Sequence, residues 1–110
     1  MTGISLIYVT FGSAEETRRV ARTLLQEKLI ACANHLAPLV SQYEWKGEFR
    51  EEAEFPILFK TTAKQVEKAM ERIRDLHSFD TPVILSWDAE KADPNYAEWL
   101  KGQVQSDQTV

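Results

Sequence analysis

The stretch from Leu39 to Thr61 constrains this chain more than any other. It reads Leu39-Val40-Ser41-Gln42-Tyr43-Glu44-Trp45, then Lys46-Gly47, then Glu48-Phe49-Arg50-Glu51-Glu52, and on to Ile57-Leu58-Phe59-Lys60-Thr61. Two such arms around a Gly-containing turn make a β-hairpin. Arms of about a dozen residues at ~3.3 Å per residue span roughly 40 Å. A compact domain of this size is only ~35 Å across. The hairpin must therefore bend sharply or project past its own domain. A projecting hairpin has unpaired edges, and unpaired edges seek another chain. The expectation is a homo-oligomer built through this arm, with the functional site in the clefts that assembly creates.

The rest of the chain suits a single domain over residues 1–110, with a hydrophobic fraction of 44%. A formal net charge of -4 argues against nucleic acid as a partner, since no basic groove is concentrated anywhere. Cys32 is the only cysteine, so no intrachain disulfide is possible and a reducing compartment fits. Met1 to Phe11 lacks the marks of a signal peptide, and no apolar run is long enough to span a bilayer. A cytoplasmic protein, with no membrane partner, is expected.

Taken in order, Ile4 to Phe11 is apolar on both faces and reads as a central strand. Ser13 with Glu16 forms a capping box that opens an amphipathic helix to about Leu29. Ala31 to Leu36 is a second strand, interrupted at Pro38 before the hairpin. A two-residue turn at Lys46-Gly47 sets Trp45 opposite Glu48, Tyr43 opposite Arg50 and Ser41 opposite Glu52, with a Tyr43–Arg50 cation–π contact. Pro56 marks an edge or a bulge. Thr62 with Gln65 is a second capping box, opening a helix whose stripe is Val66, Ala69, Met70 and Ile73. Val83 to Trp87 is the last strand. Asp93-Pro94 starts a short helix through Val104, and a polar tail begins at about Gln105. Strand-helix-strand occurs twice, and the halves echo each other. The fold class is α+β: a ferredoxin-like βαββαβ sandwich with an extended hairpin between its second and third strands and an added C-terminal helix.

No enzyme signature is present: there is no Gly-rich phosphate loop, CxxC, HExxH or GxSxG. A non-enzymatic role is expected. Cys32 is either a small core residue or a nucleophile. His77 has three readings: a helix cap, a core residue bonded to backbone, or a metal ligand. Trp45 is an oligomer anchor or a pocket wall. The glutamates of the hairpin read as a solvated edge, except Glu51. Alternation sets Glu51 between Phe49 and Phe55, so it needs a partner such as Lys60 or a neighbouring subunit.

Cys32-Ala33-Asn34, Tyr43-Glu44-Trp45-Lys46-Gly47, Glu51-Glu52, Phe59-Lys60-Thr61, Leu76 through Pro82 and Tyr96-Ala97-Glu98-Trp99-Leu100, taken in that order, resemble the CutA family of divalent-cation tolerance proteins. The resemblance covers nearly the whole chain. It implies a tight homotrimer assembled through the hairpin, a link to copper and other divalent metals, and a likeness in architecture to PII signalling proteins. It also implies an intersubunit cleft lined by Cys32, Trp45, Glu51, Lys60, His77 and Phe79. His77 is the implied metal ligand, for Cu(II) or another divalent cation. The family usually carries His-Pro-Tyr and then Pro-Glu where this chain has His77-Ser78-Phe79 and Pro82-Val83. Some members have a cysteine at the place of Thr10. With those donors missing, weak metal binding is expected. The alternative is a PII-like regulatory module that binds a small anion or metabolite between subunits near Lys60.

Overall fold

The computed structural model describes residues 2–105. Its elements in chain order are β1 (Ile4–Phe11), α1 (Ala14–Gln26), β2 (Cys32–His35), β3 (Leu39–Trp45), β4 (Glu48–Thr62), α2 (Val66–Leu76), β5 (Ile84–Asp88) and α3 (Pro94–Gln103). The sheet is antiparallel, in the order β2-β4-β1-β5, and β3 pairs with β4 alone. This is the expected α+β sandwich with its added C-terminal helix.

β4 serves two sheets in turn. Glu48 to Glu54 pair with β3, from Trp45↔Glu48 to Leu39↔Glu54. Phe55 to Thr62 pair with β1, from Phe11↔Phe55 to Ile4↔Thr62. Pro56 sits at this handover inside a central strand, not at an edge. It lacks an N–H to donate, but its carbonyl accepts from Leu36 N at 3.0 Å. The hairpin closes through Lys46 and Gly47 at φ 53° and 81°. Both angles lie in the left-handed region that a two-residue hairpin turn requires. The arm projects: the molecule measures 46 Å along one axis and 23 Å along another.

α1 and α2 cover one sheet face. Val20, Leu24, Ala69 and Ile73 pack there on Ile7, Val9, Phe11, Ile57 and Phe59. α3 covers one end of the opposite face, where Leu100 and Val104 pack on Ile4 and Ala31. The remainder of that outer face stays uncovered, with Leu85 and Trp87 exposed.

Local chemistry sets the helix ends. Ser13 accepts from Glu16 N at 3.1 Å and caps α1. α1 stops at Gln26, short of the expected Leu29, because Lys28 turns left-handed (φ 59°). Leu29 N then bonds back to Leu24 O, and Lys28 N to Leu25 O, which satisfies the last carbonyls. The second capping box does not form. Gln65 is the N-cap of α2 but makes no side-chain cap bond, because its amide donates to Gln105 O at 3.1 Å. Gln105, expected to open a loose tail, is itself anchored: its backbone N–H donates to Lys28 O and its side chain to Glu27 O. The tail beyond it lies outside the described residues. At α3, Asp93 accepts from Asn95 N and Tyr96 N at 3.1 and 3.2 Å. Replacing Asp93 by Ala is expected to cost about 1 kcal/mol of stability, the usual worth of an N-cap, measured as a drop in urea midpoint at unchanged m-value.

Candidate functional site

A cleft of about 690 Å³ opens between the hairpin and the loop that follows α2. One face of the hairpin supplies Ser41, Tyr43, Trp45, Arg50, Glu52 and Glu54. The loop supplies Ser78, Phe79, Asp80, Thr81 and Val83, and Thr10 of β1 closes the end. Alternation explains the hairpin wall. Ser41, Tyr43 and Trp45 point one way, and the register sets Glu52, Arg50 and Glu48 opposite them.

The loop wall is held by two buried polar residues. His77 ends α2, its backbone N–H bonded to Ile73 O at 2.9 Å. Its ring stacks on Phe11 with centroids 4.4 Å apart. Nε2 lies 2.8 Å from Thr10 O, a carbonyl that can only accept. Nδ1 lies 3.1 Å from Phe79 N, whose N–H can only donate. These partners assign the proton to Nε2 and make the imidazole neutral. His77 is thus both the C-cap residue of α2 and a buried residue bonded to backbone. Glu16 is also buried. Its carboxylate does not reach back to the cap, as a full capping box would require. It accepts instead from Ser78 N at 2.9 Å and Ser78 Oγ at 3.0 Å. The first turn of α1 favours that negative charge. Gly12 lets the Phe79 ring come close: a Cβ there would stand 3.3 Å from it.

Within one protomer the expected cleft residues divide into four places. Trp45 and Phe79 line the cleft, and His77 stands behind its wall with no exposed side-chain surface. Glu51 is exposed, and its carboxylate accepts from Gln42 Nε2 at 2.7 Å. It therefore has no desolvated charge to neutralise. The desolvated carboxylate of the hairpin is Glu54, 7% exposed, with a bond from Ser41 Oγ at 2.8 Å. Cys32 and Lys60 pair across β2 and β4 on the outer sheet face, away from the cleft. Cys32 is half-buried, its thiol 3.7 Å from Asn34 Oδ1. Lys60 Nζ lies 5.7 Å over the Tyr96 ring. The Tyr43–Arg50 stack is replaced by ionic contacts. Arg50 reaches Glu48 at 3.3 Å and Glu52 at 3.9 Å, while Tyr43 donates to Glu52 at 2.6 Å.

Two lining residues escape sequence reasoning. Glu54 continues the Ser41–Tyr43–Trp45 face and is visible by register alone. Thr10, 4% exposed, has a hydroxyl with no hydrogen-bond partner among the described residues. The sequence marks its place only through the family resemblance, as one where a cysteine can stand. Among the described residues, no three His, Cys, Asp or Glu side chains converge to hold a metal ion. A metal at His77 would have to take a ring nitrogen from Thr10 or Phe79. The residues of one protomer therefore do not fit a dedicated metal centre.

Comparison with known proteins gives one consistent result. A profile of the family described as "CutA1 divalent ion tolerance protein" matches residues 5–103. The divalent-cation tolerance protein CutA of Pyrococcus horikoshii is 38% identical over 86% of this chain and 92% of its own length. That of Thermotoga maritima is 36% identical over 90% of this chain and 97% of its own. The crystal structure of CutA1 from Oryza sativa superposes with a TM-score of 0.91 at 28% identity, over 97% of this chain and all of that one.

Two outcomes are expected from the cleft geometry. Thr10→Val removes an unsatisfied buried hydroxyl at nearly constant volume, and should raise stability by about 1 kcal/mol, read as a higher thermal midpoint. The hydrogen bond to Glu52 raises the Tyr43 phenol above its ordinary value, with burial adding to it. The neutral phenol is the bonded form, so this contribution is complete below about pH 10 and is lost as pH rises through the raised value. Ultraviolet titration should show one tyrosine ionising late, and Glu52→Gln should bring it back.

Proposed function

The chain belongs to the CutA1 divalent ion tolerance family, and from that membership we propose that it works as a non-enzymatic homotrimer tied to tolerance of divalent cations, copper included. The observation that carries the assembly is exposed apolar surface on two sides. On the arm, away from the cleft, Phe49 is 71% and Val40 64% exposed. On the outer sheet face, Leu85 is 58% and Trp87 49% exposed. Patches of this kind mark interfaces. The arm of one protomer lies on the outer face of the next, and three copies close the ring. Glu51 shares its hairpin face with Phe49, and Cys32 and Lys60 share the outer face with Trp87. Assembly brings these residues to the subunit boundary, where any divalent cation is bound weakly by donors from more than one chain. The single free thiol suits a reducing cytoplasm.

A second reading, a PII-like regulatory module that takes a small molecule, is favoured by the volume and aromatic walls of the cleft.

Light scattering on the purified protein should return about three times 12.6 kDa. Phe49→Asp should lower the mass toward one chain, because a charge then replaces an apolar anchor. A wild-type protein of single-chain mass at micromolar concentration would overturn the proposal.

A further inference from the structure

The outward face of α1 carries a charge pattern that neither the sandwich nor the cleft uses. Arg18, Arg19 and Arg22, three of the chain's six arginines, are exposed there in a chain of net charge -4. Arg18, Arg22 and Leu25 follow at i, i+4 and i+7 and share one stripe, with Arg19 beside Arg22. Leu25 is 43% exposed. Among the described residues, none of the three guanidinium groups joins an ion pair. Arg50 and Arg72 show the contrast, since both close on carboxylates. Glu15 is the one exposed acid on this helix. Glu16 is turned inward to Ser78.

Helix stability does not account for the pattern. Like charges one turn apart, as at Arg18 and Arg22, destabilise a helix. Cations favour the last turn, beside the negative end of the dipole, and the last turn of α1 has no basic residue. The exposed face of α2 has the arrangement of a solvated helix: Glu67, Lys68, Glu71, Arg74 and Asp75 mix both signs. Packing does not account for it either, because α1 buries Val20, Ala21 and Leu24 on its other side. A patch that costs helix stability and makes no ion pair in its own chain calls for a partner of opposite charge. Guanidinium forks match carboxylates through paired hydrogen bonds. Phosphates match them too, but nucleic-acid affinity grows with the number of phosphates neutralised, and three arginines in an acidic chain are too few. A membrane surface needs a broad apolar helix face, and Leu25 is the one large exposed apolar residue of α1 among the described residues.

We propose that the outward face of α1 docks a carboxylate-rich segment of a partner protein, held by Arg18, Arg19 and Arg22, with an apolar side chain of that segment on Leu25. These residues do not line the cleft, and none belongs to the apolar faces assigned above to assembly. The docking face is therefore complete in one protomer and independent of the trimer.

The protein is titrated into a fluorescently labelled peptide of glutamates with one central leucine, and anisotropy is read at low and at physiological salt. The expected result is saturable binding that weakens as salt rises. Arg22→Gln should weaken the peptide by about tenfold, the worth of one charge-assisted hydrogen bond. Its thermal midpoint should hold or rise, because a like-charge contact is gone. Arg18→Gln should behave in the same way. Arg74→Gln removes the same charge from α2 and should leave the affinity within about twofold, since distant surface charges are screened. Leu25→Ser should weaken the peptide equally at both salt concentrations, because it removes apolar contact and no charge. No saturable binding at low salt overturns the inference. So does an equal loss in Arg74→Gln and Arg22→Gln, which would reduce the effect to net charge. Tighter binding of a single-stranded oligonucleotide, or of phosphatidylserine vesicles, than of the peptide overturns the polypeptide class.

Discussion

One strand with two sets of partners holds this molecule together. The first half of β4 pairs with β3 and makes an arm; the second half lies between β1 and β2 and makes the centre of a sandwich. Because the strand is continuous, arm and sandwich share one register. The arm's orientation is therefore fixed by the core, through Ile57 and Phe59, both fully buried. An arm tethered by a flexible loop would leave its face unaligned with the loop after α2. Here strand continuity positions Ser41, Tyr43 and Trp45 against Phe79 without any dedicated contact.

The opposite wall depends on neutral and charged groups divided between two buried sites. His77 needs one acceptor and one donor, and the backbone of Thr10 and Phe79 supplies one of each. Glu16 needs donors, and Ser78 supplies two. Nδ1 of His77 and Oε2 of Glu16 stand 3.9 Å apart. With the imidazole neutral this is a contact between a charge and a dipole. The serine in the position after His77 is thus a structural partner of α1. The proline that the sequence resemblance implies at this position would offer neither the N–H nor the hydroxyl. Phe79 brings a ring with no polar tip to the cleft wall beside Asp80.

Much of this was legible in the sequence. A run apolar on both faces placed β1, two arms around a Gly-containing turn placed the long hairpin, and the Lys46-Gly47 turn fixed the cross-strand register correctly from Trp45–Glu48 onwards. Ser13 and Asp93 declared their helices. Two of the failures have a common cause: a side chain with two available partners takes the more distant one. Gln65 reads as half of a capping box but serves Gln105, forty residues away. Glu16 reads as the other half of a box and serves Ser78. Glu51 looks desolvated by alternation, yet the burial falls three residues later at Glu54, where the arm meets the sandwich. Spacing rules describe neighbours along a strand or helix. They cannot say where the arm ends and the body begins.

α3 gives the molecule a second, smaller core on the far side of its sheet. Leu100 and Val104 meet Ile4 and Ala31 there, separate from the cluster under α1 and α2. Gln105 then clasps this helix to the end of α1 and the start of α2. The sheet and this one clasp join the two cores, and the smaller one is the natural place for local opening. Peeling of α3 would uncover the flank of Cys32 and loosen the aromatic partner of Lys60 while the sandwich stayed intact. Amide protons of α3 would then exchange on a faster clock than those of β1 and β4, and the outer sheet face would breathe through one small clasp.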